Sequence, residues 1–458
     1  MKALLSWILL TCATVIACTP TADTGTDRLT PGVLPDTIRV ATLYSPTSYF
    51  IYREEPMGLD YSLVKKMAED KNMVLDIEVA PSLTAMLAML DSGKVDLIAY
   101  PVPITAEYRE HVQACGPVNE THQVLVQPRR ANTPPIGDVT QLPGHDVYVE
   151  KNSKYYYRML NLNDELGGGI NIHSIDRDTL AAEDAIEMVS NGTIPLTVTD
   201  SDIAKLNSTY YPNLDISLAL SFPQRSAWAV SLRHQWLADS IDSWITDEYP
   251  HDTHAQLLRR YYELSKDDPY DIDIDLSSGH ISPFDSLFKQ YASKIGYDWR
   301  LLAAQGFIES HFDSNRTSWA GARGIMQIMP GTARAYGSEP DSLVNAETSI
   351  HIATLILKDL DKSLSRLVAD EQERTKFILA AYNSGLAHIY DAIALADKLG
   401  YNPQVWNDNV SHCLLLKANP EYYNDPVCRF GYFRGRQTVV YVDHVTSFYT
   451  RCKQYIKE

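Results

Sequence analysis

Two hydrophobic rhythms divide the chain. From Thr37 onward, short apolar runs alternate with stretches of helical spacing. Thr37-Ile38-Arg39-Val40-Ala41-Thr42 predicts a strand, and Leu59, Leu63, Val64 and Met67 share one face of a helix over 59–70. A strand over 74–79, an apolar helix over 83–90 closed by Gly93, and a buried-type strand over 95–99 continue the alternation. Further strands are predicted at 124–126 and 147–149, with helices at 153–162 and 180–190. Trp228-Ala229-Val230 then leads into a helix over 235–245. Strands alternating with helices predict βαβ units and a parallel sheet. From Phe284 the strand signal ends. Helices are predicted over 284–295, 299–312, 330–336, 346–363 and 372–383. This all-α part spans about 170 residues, an ordinary size for one domain.

Between the two parts, 266–283 (KDDPYDIDIDLSSGHISP) is polar and acidic. Asp271, Asp273 and Asp275 alternate as a calcium loop begins, but Leu276 stands where such a loop needs Gly and Ser282 where it needs Glu. The stretch therefore reads as a solvated linker. The expected organisation is a leader at 1–17, a tether at 18–35, an α/β domain at 36–265, the linker, and a helical domain at 284–458.

The 458 residues are 45% hydrophobic and 21% charged, with a formal net charge of −18. That balance argues against nucleic acid and against electrostatic docking to anionic lipid. An uncharged or zwitterionic partner fits it. Lys2 precedes an apolar run from Ala3 to Ala17, too short to span a bilayer comfortably. The run ends in Val15-Ile16-Ala17-Cys18, which resembles a bacterial lipobox. The resemblance implies that Cys18 is lipidated and becomes the mature N-terminus. Without Asp after Cys18, such an anchor is expected in the outer membrane, facing the periplasm. Residues 19–35 are small, polar and Pro-containing, as in a flexible tether. Cys115, Cys413, Cys428 and Cys452 show no metal-site spacing, and no metal or cofactor is expected. Cys413 and Cys428 flank a loop and can pair in an oxidising compartment. Cys115 reads as a small buried apolar residue.

The candidate chemistry centres on 301–337. Glu309 sits near the end of the predicted 299–312 helix, between Ile308 and Phe312. Apolar surroundings raise a carboxyl pKa, which suits a general acid near neutral pH. Taken alone, Glu309 also reads as an ordinary solvated helix carboxylate. Its context is more specific. Glu309-Ser310, then Gly324-Ile325-Met326-Gln327, then Ala381-Tyr382-Asn383-Ser384-Gly385 follow in order over about 75 residues. These motifs resemble the catalytic domain of soluble-type lytic transglycosylases, which have a goose-lysozyme-like fold and cleave peptidoglycan glycan strands.

The resemblance implies that Glu309 is the single acid and base. Ser318 would lie near the muramic acetamido group, and Gln327 would bond sugar groups in the cleft. Tyr382 would orient Glu309 or support the acetamido group, and Asn383 would fix the loop and contact sugar. Tyr441, in Val439-Val440-Tyr441-Val442, matches a late Tyr of the family close to the catalytic Glu. Membrane-bound members often carry Met at the end of the second motif, where this chain has Gln327. Ordinary glycosidases need two carboxyl groups flanking the bond. Asp313 lies one turn from Glu309 on the same face, so it is poorly placed for that role. One carboxyl suffices when the muramic C6 hydroxyl attacks its own C1. A lysozyme-like hydrolase and a glycan-binding receptor without activity remain the alternatives.

Residues 36–265 resemble a family 3 extracellular solute-binding domain, a two-lobed α/β fold of the type II periplasmic-binding kind. The residues that carry this are Arg39-Val40-Ala41-Thr42, Gly58-Leu59-Asp60-Tyr61, Gly93-Lys94-Val95-Asp96-Leu97-Ile98 and Thr105-Ala106-Glu107-Tyr108-Arg109. The resemblance implies that Arg109 holds a ligand carboxylate, that Ser153 adds donors at a helix start, and that Asp200 holds an ammonium. Read without it, Arg109 is a surface ion-pair residue and Asp200 a helix cap. Pro101 and Pro103 depart from the pattern and are expected to reshape the ligand loop. A cell-wall peptide is the expected ligand, and its binding would alter access to the catalytic cleft.

Overall fold

Ile38, Val40 and Ala41 are fully buried in strand β1 (Thr37–Thr42), around which the first lobe is built. The computed structural model describes residues 28–457 except 131–133, 152, 176–181, 265–275 and 277–278. The leader, Cys18 and most of the acidic linker lie outside the described residues.

Twelve strands follow in order: β1, β2 (Phe50–Tyr52), β3 (Glu55–Met57), β4 (Val74–Val79), β5 (Leu97–Pro103), β6 (Val112–Thr121), β7 (Gln123–Pro128), β8 (Asp146–Glu150), β9 (Asn171–Ile175), β10 (Thr197–Asp200), β11 (Leu214–Asp215) and β12 (Gln224–Ser231). The first lobe holds a sheet ordered β4-β1-β5-β12-β6, and the second a sheet ordered β11-β7-β10-β8-β9. β1 runs parallel to β4 and β5, and β8 runs parallel to β9 and β10.

The two-lobed α/β fold is as expected, but its sheets are parallel only in part. β12 is antiparallel to both β5 and β6, and β7 to both β10 and β11. The reason is the connection between lobes. The chain passes directly from β6 into β7, and β12 returns into the first sheet without a crossover helix. Parallel neighbours need such a crossover.

Predicted helices 59–70 and 83–90 are present as Leu59–Asp70 and Leu83–Asp91. From the sequence, the stretch after β1 reads as a loop. The loop after β1 contains a two-stranded hairpin, β2 and β3. Its turn residues Arg53 and Glu54 have φ of 48° and 65°. That left-handed geometry favours Asn-Gly in a two-residue hairpin turn. Each non-glycine residue held there costs about 1 kcal/mol or more.

The C-terminal part is helical, as expected. Its centre is the helix Trp299–Ser310, in which every residue is buried. The helix lies inside the core, its polar Arg300, Gln305, Glu309 and Ser310 included, and packs against Asp285–Ser293 and Arg436–Tyr455. Asp298 opens it by accepting from the Arg300 amide at 2.9 Å. It ends two residues earlier than predicted because His311 and Phe312 take left-handed φ of 54° and 64°. The helices Leu386–Leu399 and Arg436–Tyr455 were not expected.

Cys115, Cys413, Cys428 and Cys452 are free thiols, so the Cys413–Cys428 bridge is not formed. Cys413 lies inside the helical core and Cys428 at its edge. No helix among the described residues is long and apolar enough to cross a membrane.

Candidate active site

The buried helix Trp299–Ser310 carries Glu309 to the floor of a groove in the helical domain, where the residue is 6% exposed. The Ser310 hydroxyl donates to the Ile325 carbonyl at 2.8 Å, and so ties the helix to the second motif. Gly324 opens that motif at φ 77°, and an added Cβ would lie 2.0 Å from the Leu343 carbonyl oxygen. No other residue fits there. The Tyr382 hydroxyl donates to the Met326 carbonyl at 2.8 Å, joining the third motif to the second.

Tyr382 and Tyr441 are both buried, and burial followed by the Glu309 charge pushes each phenol well above its ordinary pKa. Both therefore stay protonated. The Tyr441 hydroxyl faces Glu309 but makes no hydrogen bond of good geometry. The structure thus brings Glu309, Tyr382 and Tyr441 together. Asn383 lies at the same place, its side-chain oxygen accepting from Thr438 at 2.7 Å. Gln327 also adjoins, but its amide turns inward and donates to the carbonyls of Arg316 and Gly324 at 3.0 and 2.9 Å. Its φ of 47° turns the backbone back on itself.

Ser318 stands apart on the loop before the second motif. Its hydroxyl accepts from the Ala322 amide at 3.0 Å. That loop is held from the other domain. Arg260 donates to the Trp319 carbonyl at 3.0 Å and also to the Ala320 carbonyl. Ala320, Ala322 and Met329 pack within the first lobe's hydrophobic core. Asp313 is exposed, and its carboxylate accepts from the Asn315 amide.

The residue closest to the chemistry that sequence reasoning missed is Arg53. The β2–β3 hairpin lays its tip across the groove. Arg53 Nη2 lies 3.1 Å from Glu309 Oε2 and 3.5 Å from Oε1. Its Nη1 donates to the Gln327 carbonyl at 2.6 Å and its Nε to the Asn383 carbonyl at 3.1 Å. Burial alone would lower the Arg53 pKa, but the Glu309 charge and hydrogen bond together with the neighbouring Tyr52 and Tyr441 outweigh it, and the net direction is upward.

The two next residues of the hairpin are carboxylates. Glu54 accepts from the Leu386 amide at 2.8 Å and Glu55 from the Gly331 amide at 2.6 Å. Each amide opens a helix, where backbone donors lack partners and negative charge is favoured. Gly385, at φ 95°, gives the hairpin room: a Cβ there would lie 3.0 Å from the Glu54 backbone nitrogen. His388 Nε2 donates to the Ile51 carbonyl at 3.0 Å. Behind it lies a buried set. Lys417, 0% exposed, donates to His388 Nδ1 at 3.0 Å and pairs with Asp391. Beside the hairpin lies a cavity of about 200 Å³, lined by Arg53, Glu54, Met329, Tyr336 and Tyr382 among others.

A cleft of about 1190 Å³ separates the two lobes of the N-terminal part. Asp200, Pro101 and Pro103 line it. Asp200 is ion-paired with Lys154 and opens the helix Ser201–Ser208 without a side-chain cap. Ser153 caps its own helix, accepting from the Tyr156 amide at 3.2 Å and donating to the Glu150 carbonyl at 2.6 Å. Arg109 is exposed at the end of a one-turn helix, Ala106–Arg109, against a small hollow that includes Trp228. Of the three residues, only Asp200 is among those that line the cleft.

The helical domain also touches the second lobe. Arg434 stacks 4.0 Å from the Tyr210 ring centre and donates to Asn207 at 2.6 Å and to the Tyr211 hydroxyl at 3.1 Å. Arg436 pairs with Glu187.

Comparison with known proteins gives two family matches. Residues 37–264 match the bacterial extracellular solute-binding proteins, family 3, and residues 286–405 match the transglycosylase SLT domain. Tyr441 falls beyond the second match. Membrane-bound lytic murein transglycosylase F of Desulfosudis oleivorans is 30% identical over 423 residues, covering 91% of this chain and 90% of its own length. The protein of the same name from Pseudomonas fluorescens is 31% identical over 419 residues, covering 90% and 84%. Among solved structures, an ancestral cationic amino acid solute-binding protein covers 50% of this chain at 18% identity, with a TM-score of 0.43.

Proposed function

The chain belongs to the membrane-bound lytic murein transglycosylase F family and is a peptidoglycan lytic transglycosylase, and from that premise we propose that Glu309 is its single acid and base. Glu309 gives its proton to the leaving glycosidic oxygen as the bond from muramic C1 breaks. The C6 hydroxyl of the same sugar then bonds to C1, and Glu309 takes the proton it releases. The product carries a 1,6-anhydromuramic end, and no water is consumed.

The observation that carries this reading is the burial of Glu309 where three motifs meet, with protonated Tyr382 and Tyr441 beside it. Asp313 is exposed and turned to its own loop, so it gives Glu309 no partner carboxylate. Ser318 supports the acetamido group, and Asn383 and Gln327 shape the groove for sugar. Cys18 carries the lipid that holds the enzyme in the outer membrane, facing the periplasm.

The hairpin supports a second part of the reading, that the N-terminal domain regulates the reaction. A guanidinium at 3.1 Å favours an ionised carboxylate, whereas a general acid must hold a proton. The Arg53 contact is thus a resting state that also fills the groove. A cell-wall peptide bound between the lobes releases it, provided that the peptide binds the released state more tightly.

The test is mass spectrometry of sacculi digested with the full chain and with Glu309→Gln. Anhydromuramic ends from the first and none from the second are expected. Reducing-end muramic acid would make the enzyme a hydrolase. No product from either would leave a glycan-binding protein, or an enzyme held at rest until its N-domain ligand binds.

A further inference from the structure

The charges around the inter-lobe cleft do not balance, and the imbalance identifies a ligand class. Three basic side chains line the cleft, and each has a carboxylate opposite. Lys154 pairs with Asp200, Arg225 faces Glu120 at 3.8 Å, and Lys205 faces Glu263 at 3.8 Å. Two carboxylates are left over, one from each lobe. Asp60 stands in the first turn of the helix Leu59–Asp70, and Asp202 in the first turn of Ser201–Ser208. Among the described residues, neither has a cation within ion-pair distance.

Asp60 is 3% exposed, and its one short hydrogen bond comes from the Trp228 indole at 2.7 Å. Beside it the Ser48 hydroxyl, 1% exposed and also lining the cleft, is directed at the Asp60 carboxylate but makes no hydrogen bond of good geometry. A buried hydroxyl without a well-formed hydrogen bond is costly unless something else completes it. Tyr100 and Tyr262 line the same space. Burial raises both phenols, and the charges of Asp60 and Asp202 raise them further. Both rings therefore lie in the field of both carboxylates. Burial likewise pushes Asp60 up to about 6, and burial with Asp200 raises Asp202. Lys154, already paired with Asp200, offsets the rise of Asp202 only in part.

We infer that the inter-lobe cleft takes its ligand through a primary ammonium group seated between Asp60 and Asp202, without a clamp for a carboxylate. An ammonium has three donors and no acceptor. Two carboxylates and the Ser48 hydroxyl accept them, while tyrosine faces cover the charge. Among the described residues, each lysine and arginine that lines the cleft faces a carboxylate, and Arg109 lies outside it. Like charges on opposite lobes oppose closure, and a bound cation removes that opposition. At about 1190 Å³ the cleft exceeds the roughly 300–1,000 Å³ of drug-sized sites. A peptide with a free amine fits it. The inference rests on the reading of this domain as a ligand-binding regulator and narrows what that ligand carries.

The test is calorimetric titration of the full chain with two probes. One is lysyl-alanine amide, with free amines and no carboxylate. The other is diacetyl-lysyl-alanine, with a carboxylate and no free amine. The amide should bind and the acetylated acid should not. Asp202→Asn should weaken the amide about tenfold or more. Asp60→Asn should do the same where it folds, and Asp202→Asn keeps the test valid where it does not. Binding of the acid in preference, binding of neither, or an unchanged affinity in Asp202→Asn would overturn the inference. Anhydromuramic products from the same preparation separate such a failure from a failure of the enzymatic reading.

Discussion

The two clefts of this protein hold buried carboxylates in opposite states. In the catalytic groove, Glu309 is matched by Arg53, a cation supplied by the other domain. Between the lobes, Asp60 and Asp202 have no such match among the described residues. The cavity beside the hairpin measures about 200 Å³, while the inter-lobe cleft measures about 1190 Å³. The same physical chemistry governs both. A buried carboxylate needs a cation, and whether it comes from within the chain or from a ligand sets which cleft is closed. The hairpin belongs to the lobe that carries Asp60, so the two needs are met by neighbouring parts of one domain.

Four changes test that contrast. The largest effect is expected from Glu309→Gln, which removes the proton donor and leaves Arg53 unpaired. Release of anhydromuropeptides should fall about a thousandfold, as read by product mass and time course. The second is Glu54→Ala with Glu55→Ala. These carboxylates accept from two helix-opening amides, each contact worth about 1 kcal/mol. Their loss should loosen the hairpin and raise turnover about tenfold, while Glu309 keeps its place. A fall in turnover would instead make them part of the catalytic groove.

The third change is Arg434→Ala, which removes one link between the second lobe and the helical domain and leaves the Arg436–Glu187 pair. Faster hydrogen exchange over Ser201–Ser208 and a loss of about 1–3 kcal/mol in stability are expected. The smallest effect concerns pH. Burial, and then Lys417, holds His388 well below its ordinary 6.5. The unfolded chain therefore binds a proton that the folded chain does not, and stability is lost as pH falls below about 6.5. Gln can donate to Ile51 and accept from Lys417 without titrating. His388→Gln should flatten the fall in melting temperature between pH 7 and 5 by a few degrees.

Much of this architecture was legible in the sequence because periodicity reports burial directly. The β1 run, the helix Leu59–Asp70 and the helical character beyond Phe284 all follow from apolar spacing. Helix boundaries were less legible. His311 and Phe312 stop their helix through left-handed backbone that neither side chain advertises. The antiparallel course of β12 depends on a return between lobes, which local pattern does not encode. Glu309, Tyr382 and Asn383 stood out through their motifs. Arg53 did not, because Tyr52-Arg53-Glu54-Glu55 contains no Gly, Asn or Pro to mark a turn. Its partner also lies 256 residues away. The one available signal was negative: a hairpin turn built from charged residues that suit it poorly. Likewise, the imbalance at Asp60 and Asp202 appears only once Lys154, Arg225 and Lys205 are seen to be paired.

The most direct measurement is the initial rate of anhydromuropeptide release from sacculi by the full chain and by Arg53→Ala, with Glu309→Gln in each as the zero. The account predicts that Arg53→Ala is faster without added ligand, and that Glu309→Gln silences both. A folded Arg53→Ala enzyme no faster than the parent chain would contradict it.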